Sequence, residues 1–193
     1  MKVYQFDLDL NNMRELAPKK YDYEKLDQLF NGKSIKDIFD PKNERYVLQE
    51  IKTKNMDFYC RTAKLTMSKK AFEILGTCLE KHGEIYPIVI SNAPKADNIA
   101  YFFNILTILD PYDKTKSEWA TDYKGIKYRP TKIVFKKSKI TKSLFIIPNG
   151  KKGTGYFGDY FCTDGLLPPE EEFYHIYQNS GLKGLRFKEI ELT

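Results

Sequence analysis

A glycine-rich segment, GTGYFG, has the spacing in this chain that comes closest to a phosphate-binding loop. Its glycines, Gly153, Gly155 and Gly158, match the GxGxxG pattern whose backbone amides cradle phosphates. A dinucleotide site needs a helix directly after such a loop, because the helix N-terminus holds the pyrophosphate. Here the next residues, DYFCT, read as a strand, and no HRD or DFG motif of a protein kinase follows. The pattern therefore predicts a loop that joins two strands.

Histidine and cysteine, the usual ligands of transition metals, are few. Neither His82 nor His175 lies in an HxxxH or HExxH spacing, so a metal site would need ligands scattered along the chain. The three cysteines, Cys60, Cys78 and Cys162, lack CxxC spacing and are odd in number, which indicates plain thiols rather than disulfides or a zinc site. No GxSxG motif or cysteine-nucleophile signature occurs. We therefore expect no metal and no cofactor.

Two pairs of aspartates are close enough in sequence to act together. Asp7 and Asp9 point the same way on a predicted strand, and Asp110 and Asp113 frame a turn. Paired carboxylates can serve as general acid and base or can hold Mg²⁺. The Asp-Pro turn accounts for the second pair without catalysis. Since no nucleophile–base set accompanies either pair, the sequence predicts a protein that is not an enzyme.

Positive charge is concentrated between Tyr123 and Gly158. This stretch holds ten cations and no acid, whereas the remaining 22 of the chain's 32 cations are outnumbered by all 26 acids. A local excess of this kind indicates an anionic partner, because it speeds encounter with an anionic surface. The candidate partner-binding residues are Tyr128, Arg129, Lys132, Lys136, Lys137, Lys139 and Lys142.

The same stretch permits other interpretations. Lysines on edge strands keep sheets from aggregating, so the charge could belong to a solvated edge. A nucleic-acid-binding module is the alternative function, because aromatic residues lie among the cations. These aromatic residues are Tyr128, Phe135, Phe145, Tyr156 and Phe157. No RNP, KH or zinc-knuckle signature accompanies them, so we do not expect nucleic acid as the partner. We also expect no membrane partner.

The overall composition describes one globular unit. The chain has 193 residues, of which 41% are apolar, 30% charged and 15% aromatic. This predicts a single domain over residues 1–193, with an N-terminal strand and helix region over 1–56. No apolar run approaches the roughly 18 residues of a membrane span. The first ten residues carry two acids, which is unlike a secretory signal, so we expect a cytoplasmic protein.

Hydrophobic periodicity predicts several strands and an early helix. Strands are expected at Lys2 to Leu8 and at RYVLQEI, and a helix over YDYEKLDQLFNG. The run IAYFFNILTIL is predicted to be a strand buried on both faces, because it is rich in β-branched and aromatic residues and stops at Asp110-Pro111. The segment KIVFKKSKITKSLFIIPN predicts a hairpin of two short strands with a tight basic connection, Lys136 to Lys142.

A module of strand, helix, glycine and strand occurs twice. In the first copy Ser68 is predicted to cap the helix, and Gly83 to end it before a buried strand. In the second copy Pro168 or Pro169 is predicted to start a helix, with three acids in its first turn, that ends at Gly181. The apolar stripes of the two helices are Phe72, Leu75, Cys78 and Leu79, and Phe173, Ile176 and Tyr177.

The spacing of these landmarks makes the second helix about one turn shorter than the first. We expect the two copies to be structural equivalents that bury their stripes on one sheet. The predicted fold class is α+β, with a mixed, mainly antiparallel sheet and a few short helices.

The order of the motifs carries a resemblance to a known family. A KNMDF element with Asp57 and Phe58 leads into LTMSKKAFEIL, and the DPYDKTKS turn, a basic segment ending in SLFII and a closing GLKGLRFKEIE follow. Over residues 57–192 this order resembles a bacterial immunity-protein family linked to polymorphic toxin systems and first defined from a myxobacterial protein of unknown function. Its most specific part is GLKGLRF, with Gly181, Gly184 and Phe187. The GKKGTGYFGDYF loop is longer than is usual in the family.

The resemblance implies a cytoplasmic protein that binds a cognate bacterial toxin and neutralises it by non-covalent protein–protein contact. The immunity-protein-like region would cover residues 57–193. No catalytic residues, metal or cofactor come with this resemblance. The expected partner is therefore a toxin protein, and the sequence leaves open which toxin it is and how many copies of the chain assemble.

Overall fold

In the computed structural model the described residues are 1–9, 14–18, 32–37, 39–40, 45–49, 56–60, 65–95, 98–121, 123–125, 127–147 and 160–193. Over these residues the strands are β1 (Lys2–Leu8), β2 (Arg14–Pro18), β3 (Arg45–Gln49), β4 (Phe58–Cys60), β5 (Leu65–Ser68), β6 (Gly83–Ile90), β7 (Ile99–Ile105), β8 (Glu118–Thr121), β9 (Lys127–Lys132), β10 (Val134–Phe135), β11 (Leu144–Ile146), β12 (Tyr160–Asp164), β13 (Leu185–Glu189) and β14 (Glu191–Leu192). The helices are α1 (Lys69–Glu80) and α2 (Phe173–Ser180). The predicted fold class is confirmed: an α+β fold dominated by mainly antiparallel strands.

Four strands form an open antiparallel sheet in the order β11-β12-β1-β13. The strand predicted at the N-terminus, β1, is central, since Phe6 lies opposite Tyr160 of β12 and Phe187 of β13. Successive side chains of a strand point to opposite faces. Phe6 therefore packs with the helices, whereas Val3 packs in a separate cluster on the other face.

Six strands form a second sheet that closes on itself in the order β2-β3-β6-β7-β5-β4. It is mixed, because the β2–β4 and β3–β6 pairs are parallel and the other pairs antiparallel. β7 confirms the strand predicted within IAYFFNILTIL and its burial on both faces. Phe102 belongs to one buried cluster and Phe103 to another, and both are almost fully buried.

The two copies of the module are structural equivalents. β5 and β6 each pair antiparallel with β7, and β12 and β13 each pair antiparallel with β1. Each copy is thus a strand–helix–strand unit whose two strands lie on either side of a third strand. The third strand is β7 in the first copy and β1 in the second. α1 has 12 residues and α2 has 8, which confirms the difference of one turn.

The prediction that both copies pack on one sheet is wrong. The first belongs to the closed sheet and the second to the open sheet, because a different central strand completes each unit. Leu75 of α1 and Phe173 of α2 are nevertheless fully buried in the same cluster. Phe72 and Ile176 lie half-buried at its margin. The helices thus contribute to one core between the sheets.

The ends of the first helix confirm one predicted signal and correct another. Ser68 caps α1, and its Oγ accepts a hydrogen bond from the amide of Ala71 at 3.2 Å. Gly83 does not end the helix, which stops at Glu80; it is the first residue of β6. A Cβ at this glycine would lie 2.9 Å from Cα of Ile105 and even closer to a carbonyl oxygen of β7. The glycine is needed because the two strands approach each other closely.

The second helix ends as predicted but begins differently. Gly181 follows α2 with φ 70°, the left-handed conformation expected of a C-terminal glycine. The residues Pro169–Glu171 form a single 3-10 turn, and the α-helix starts only at Phe173. The break is at Glu172, which has an extended backbone and a side chain buried against the end of β12. This inward carboxylate, rather than an exposed first turn of three acids, separates the two helical segments.

The basic segment after β9 contains the two predicted short strands, but they do not form a hairpin. β10 pairs parallel with β14, and β11 pairs antiparallel with β12. The residues of both strands are buried, and Ile140 between them is also buried. The apolar residues therefore hold the connection against the body of the protein, and the two strands find partners elsewhere.

Two predicted features lie outside the described residues. These are most of the early helix over YDYEKLDQLFNG and the glycine-rich loop at 150–158. Among the described residues, no helix combines the length and the apolar character needed to cross a membrane.

Candidate functional site: an exposed lysine ridge

Four of the predicted partner-binding lysines lie together on the connection between β10 and β11. We call these residues, Lys136, Lys137, Lys139 and Lys142, the lysine ridge. All four are exposed, and Lys137–Lys139 form one 3-10 turn. The exposure of these four lysines follows from the sequence, because lysine side chains are almost never fully buried. Ile140, which lies between Lys139 and Lys142, is buried.

Backbone hydrogen bonds attach the ridge to distant parts of the chain. The amide of Lys136 donates to the carbonyl oxygen of Pro111 at 2.8 Å, and the amide of Lys137 donates to that of Thr193 at 2.8 Å. At the other end, the carbonyl oxygen of Ser143 accepts from the amide of Thr163 at 2.9 Å. The lysine side chains thus project from a backbone held at both ends.

The ridge has little charge compensation within the described part of the chain: Lys136 interacts electrostatically with the Asp113 carboxylate and helps to lower its pKa. None of its four lysines forms an ion pair with a described carboxylate; Lys139 Nζ instead donates to the carbonyl oxygen of Asp110 at 3.3 Å. Lys132, also predicted as a partner-binding residue, differs because its Nζ lies 3.1 Å from Oε2 of Glu191. Lys132 is therefore paired within the protein, whereas no ridge lysine has an ion-pair partner among the described residues.

The remaining two predicted residues, Tyr128 and Arg129, are in β9, and their side chains lie outside the described part of the structure. β9 pairs with β8 in a separate two-stranded sheet. In the turn of this hairpin, Tyr123 is 91% exposed, and Lys124 Nζ lies 5.4 Å from the centroid of its ring. Sequence reasoning did not single out Tyr123, although its place in the polar turn TDYKG was a signal for exposure.

The aspartates considered for catalysis are dispersed and have structural contacts. Asp7 is exposed on β1, and Asp9 lies near Arg186. Asp113 is buried, and its carboxylate accepts hydrogen bonds from the hydroxyl and the amide of Thr115 and from the hydroxyl of Thr193. Hydrogen bonds from Thr115 are the largest cause that lowers the pKa of Asp113 to about 2. This carboxylate stabilises the turn that supports the ridge.

The histidine next to the ridge is buried. His82 Nε2 lies 3.2 Å from Ser143 Oγ, and His82 Nδ1 has no hydrogen-bond partner among the described residues. Burial, followed by the charges of Lys142 and Lys81, lowers the pKa of His82 to about 4. A serine–histidine pair acts as a nucleophile when a third group orients the imidazole and substrate can reach the serine. Ser143 is itself buried, so this pair belongs to the core.

An open groove of about 620 Å³ lies between α1 and α2. Cys78, Lys81 and Glu171 line it, and Lys81 Nζ lies 2.7 Å from Oε2 of Glu171. Burial raises the pKa of the Cys78 thiol to about 11, so this thiol stays protonated at neutral pH. The groove thus contains a thiol in its unreactive form and a surface ion pair.

A cluster that the sequence did not reveal lies at the start of α2. Glu172 is buried, and its carboxylate accepts hydrogen bonds from the hydroxyl of Thr163 and from the amides of Gly165, Leu166 and Leu167. Burial alone would raise the pKa of this carboxyl, but the hydrogen bonds outweigh it, and the pKa lies below its ordinary value. His175 and Asp164 lie beside it. Glu172 and His175 stand in an ExxH spacing that the sequence shows. Only the turn after β12 brings Asp164 to them, so the sequence could have pointed to two of the three residues.

The chain matches no model of a known protein family and no curated protein. The family resemblance of residues 57–192 therefore rests on the order of its motifs alone.

Proposed function

We propose that this chain is a cytoplasmic binding protein that neutralises a bacterial toxin by non-covalent contact, and that the lysine ridge is part of its contact surface. The observation that carries the proposal is the set of four exposed lysines on a held backbone without an ion pair to a described carboxylate. The resemblance to immunity proteins supplies the class of partner. The ridge supplies its chemistry, an acidic protein surface.

Two physical arguments support a protein partner. Unpaired lysines create a local positive field that speeds encounter with an acidic surface and selects against basic ones. A backbone already held in place loses little conformational freedom on binding, so more of the interaction energy appears as affinity. The nearby polar groups that could suggest catalysis, Asp113, His82 and Ser143, already serve the fold.

The test is a charge reversal on the ridge, Lys136→Glu with Lys137→Glu. Its binding partner is the C-terminal domain of a large toxin protein, sought first in the genes adjacent to the one for this chain. We expect association to slow severalfold at low salt while folding is unchanged, because the reversal removes steering and not core contacts. The difference in association rate between the variant and the wild-type chain should shrink as salt is raised. The reason is that the screening length falls from about 10 Å at 0.1 M to about 3 Å at 1 M.

A matched control changes the same charge at another site. Lys95 and Lys188 are exposed lysines outside the ridge, and neither forms an ion pair with a described carboxylate, so Lys95→Glu with Lys188→Glu alters net charge equally. This control should associate at a rate near that of the wild-type chain. Equal rates for the two double variants would show that net charge and not the ridge matters, and unchanged binding by the ridge variant would place the contact elsewhere.

The nucleic-acid alternative has less support in the described residues. Phe135 and Phe145, two of its five aromatic residues, are fully buried and cannot stack on bases. Tyr156 and Phe157 lie outside the described residues, as does the side chain of Tyr128. Tight binding of a single-stranded oligonucleotide that the ridge reversal abolishes, with toxin binding intact, would replace our proposal by this one.

We also propose that the chain has no turnover of its own. The aspartates at 7, 9, 110 and 113 are the test positions. A hydrolase or transferase activity that disappears on substitution of any of them would contradict a purely binding function.

A further inference from the structure

Three possible metal ligands converge where β12 meets α2. Asp164 is the last residue of β12, Glu172 directly precedes α2, and His175 is in the first turn of the helix. Nε2 of His175 lies 2.9 Å from Oδ1 of Asp164 and 3.9 Å from Oε2 of Glu172. One ligand atom from each residue lies within 4.8 Å of the others. Zn²⁺ holds such ligands at about 2.0–2.2 Å, so a small movement of the partly exposed Asp164 and His175 side chains lets one ion contact all three.

The carboxylate of Glu172 is held by its surroundings. Its side chain is 0% exposed; Oε1 accepts three hydrogen bonds, from Thr163, Leu166 and Leu167, whereas Oε2 accepts one, from Gly165. The less occupied oxygen, Oε2, is the one near His175. A carboxylate oxygen has two lone pairs, so Oε2 keeps one for a further partner.

Among the described residues, no lysine or arginine forms an ion pair with the carboxylates of this cluster, Asp164 and Glu172, and their one close cationic candidate is His175. Two neighbouring carboxylates, one of them removed from water, repel each other unless a positive charge lies between them. A divalent cation at this position would balance both.

We propose that Asp164, Glu172 and His175 bind one divalent transition-metal ion, with Zn²⁺ preferred. One imidazole nitrogen with carboxylate oxygens suits Zn²⁺, whereas Mg²⁺ prefers oxygen ligands and keeps most of its waters. Asp164 and His175 are 28% and 31% exposed, so an ion can enter from solvent and complete its coordination with water. The bound ion would fasten the end of β12 to the start of α2. This site is independent of the lysine ridge.

The test is a Zn²⁺ titration of the full chain at about pH 7.5, with the heat of binding measured by calorimetry. Bound metal is first removed from the chain by chelation. We expect saturable binding of one ion per chain and a rise in the thermal unfolding midpoint with Zn²⁺, because an ion that binds only the folded state stabilises it. Mg²⁺ at the same concentrations should produce neither effect.

Two variants remove one ligand each, His175→Ala and Asp164→Asn. Each should weaken Zn²⁺ binding by more than the roughly 10–100-fold that follows loss of an outer-sphere partner. The matched control is Glu170→Gln, an exposed acid in the same segment but outside the cluster, which should bind as the wild type does. Circular dichroism and the unfolding midpoint without metal show that each variant is folded; if His175→Ala does not fold, Asp164→Asn carries the test.

Three results would overturn the proposal. One is the absence of saturable Zn²⁺ binding to the wild-type chain. Another is wild-type affinity in a folded ligand variant. The third is an equal loss in Glu170→Gln, which would place the ion elsewhere.

Discussion

The buried His82 makes stability depend on pH in a way that the structure predicts. Burial and the charges of Lys142 and Lys81 lower its pKa in the folded state from 6.5 to about 4. The unfolded chain therefore binds a proton on this imidazole at pH values where the folded protein does not. Stability from neutral His82 is fully present above about pH 6.5 and is lost as the pH falls toward about 4.

The size of the effect follows from the two pKa values. A difference of one in pKa corresponds to about 1.4 kcal/mol, so the fall from 6.5 to about 4 corresponds to at most about 3.5 kcal/mol. Between about pH 7.5 and about pH 4.5 the linkage relation gives a loss of about 2.5 kcal/mol from this group. Such a loss is a large fraction of the roughly 5–15 kcal/mol by which a domain is stable.

Urea unfolding of the wild-type chain and of His82→Gln over this pH range measures the effect. Glutamine keeps a hydrogen-bonding group near Ser143 but does not titrate. Between about pH 7.5 and about pH 4.5 the free energy of unfolding should therefore fall by about 2.5 kcal/mol less in the variant than in the wild-type chain. The other acidic groups and His175 are common to both proteins and cancel in the difference. Parallel pH profiles for the two proteins would refute the assignment of a neutral, buried His82.

Three further changes test the fold by urea unfolding at neutral pH. Leu75→Ala should cost about 2–5 kcal/mol, because it leaves a cavity in the core shared by the two helices; a cost below about 1 kcal/mol would contradict full burial. Gly83→Ala should cost about 1–3 kcal/mol, because its Cβ meets the backbone of β7; a neutral effect would show that β6 and β7 can separate there. Glu172→Gln should cost about 1.5–3 kcal/mol, because the charged acceptor of four hydrogen bonds is lost; unchanged stability would mean that the turn after β12 does not depend on it.

Local signals predicted much of the secondary structure. The cap at Ser68 and the left-handed Gly181 depend on a few adjacent residues, so the sequence alone locates them. The burial of β7 on both faces follows from a mainly apolar run between turn residues, which Asn104 interrupts. The exposure of the lysine ridge was also predictable, because lysine side chains stay in contact with solvent in nearly every structural context.

Strand pairing was not predictable from these signals. β10 pairs with β14, near the end of the chain, and not with β11, which follows it closely. The backbone groups that pair two strands are nearly the same for every residue type. Which strands pair therefore depends on how the buried side chains of their faces pack together. The same cause places the two equivalent modules on different sheets.

By itself the sequence therefore determined the fold class, the repeated module, most of the strands and the positive charge of residues 123–158. Only the tertiary structure decided which of those charges are free: it pairs Lys132 with Glu191 and leaves the lysine ridge without an ion pair among the described residues. Only the tertiary structure brings Asp164, Glu172 and His175 within 4.8 Å of one another. The physical reason is range: helix caps, turns and side-chain solvation depend on neighbours along the chain, whereas ion pairs and ligand clusters depend on distances that packing of the whole chain sets.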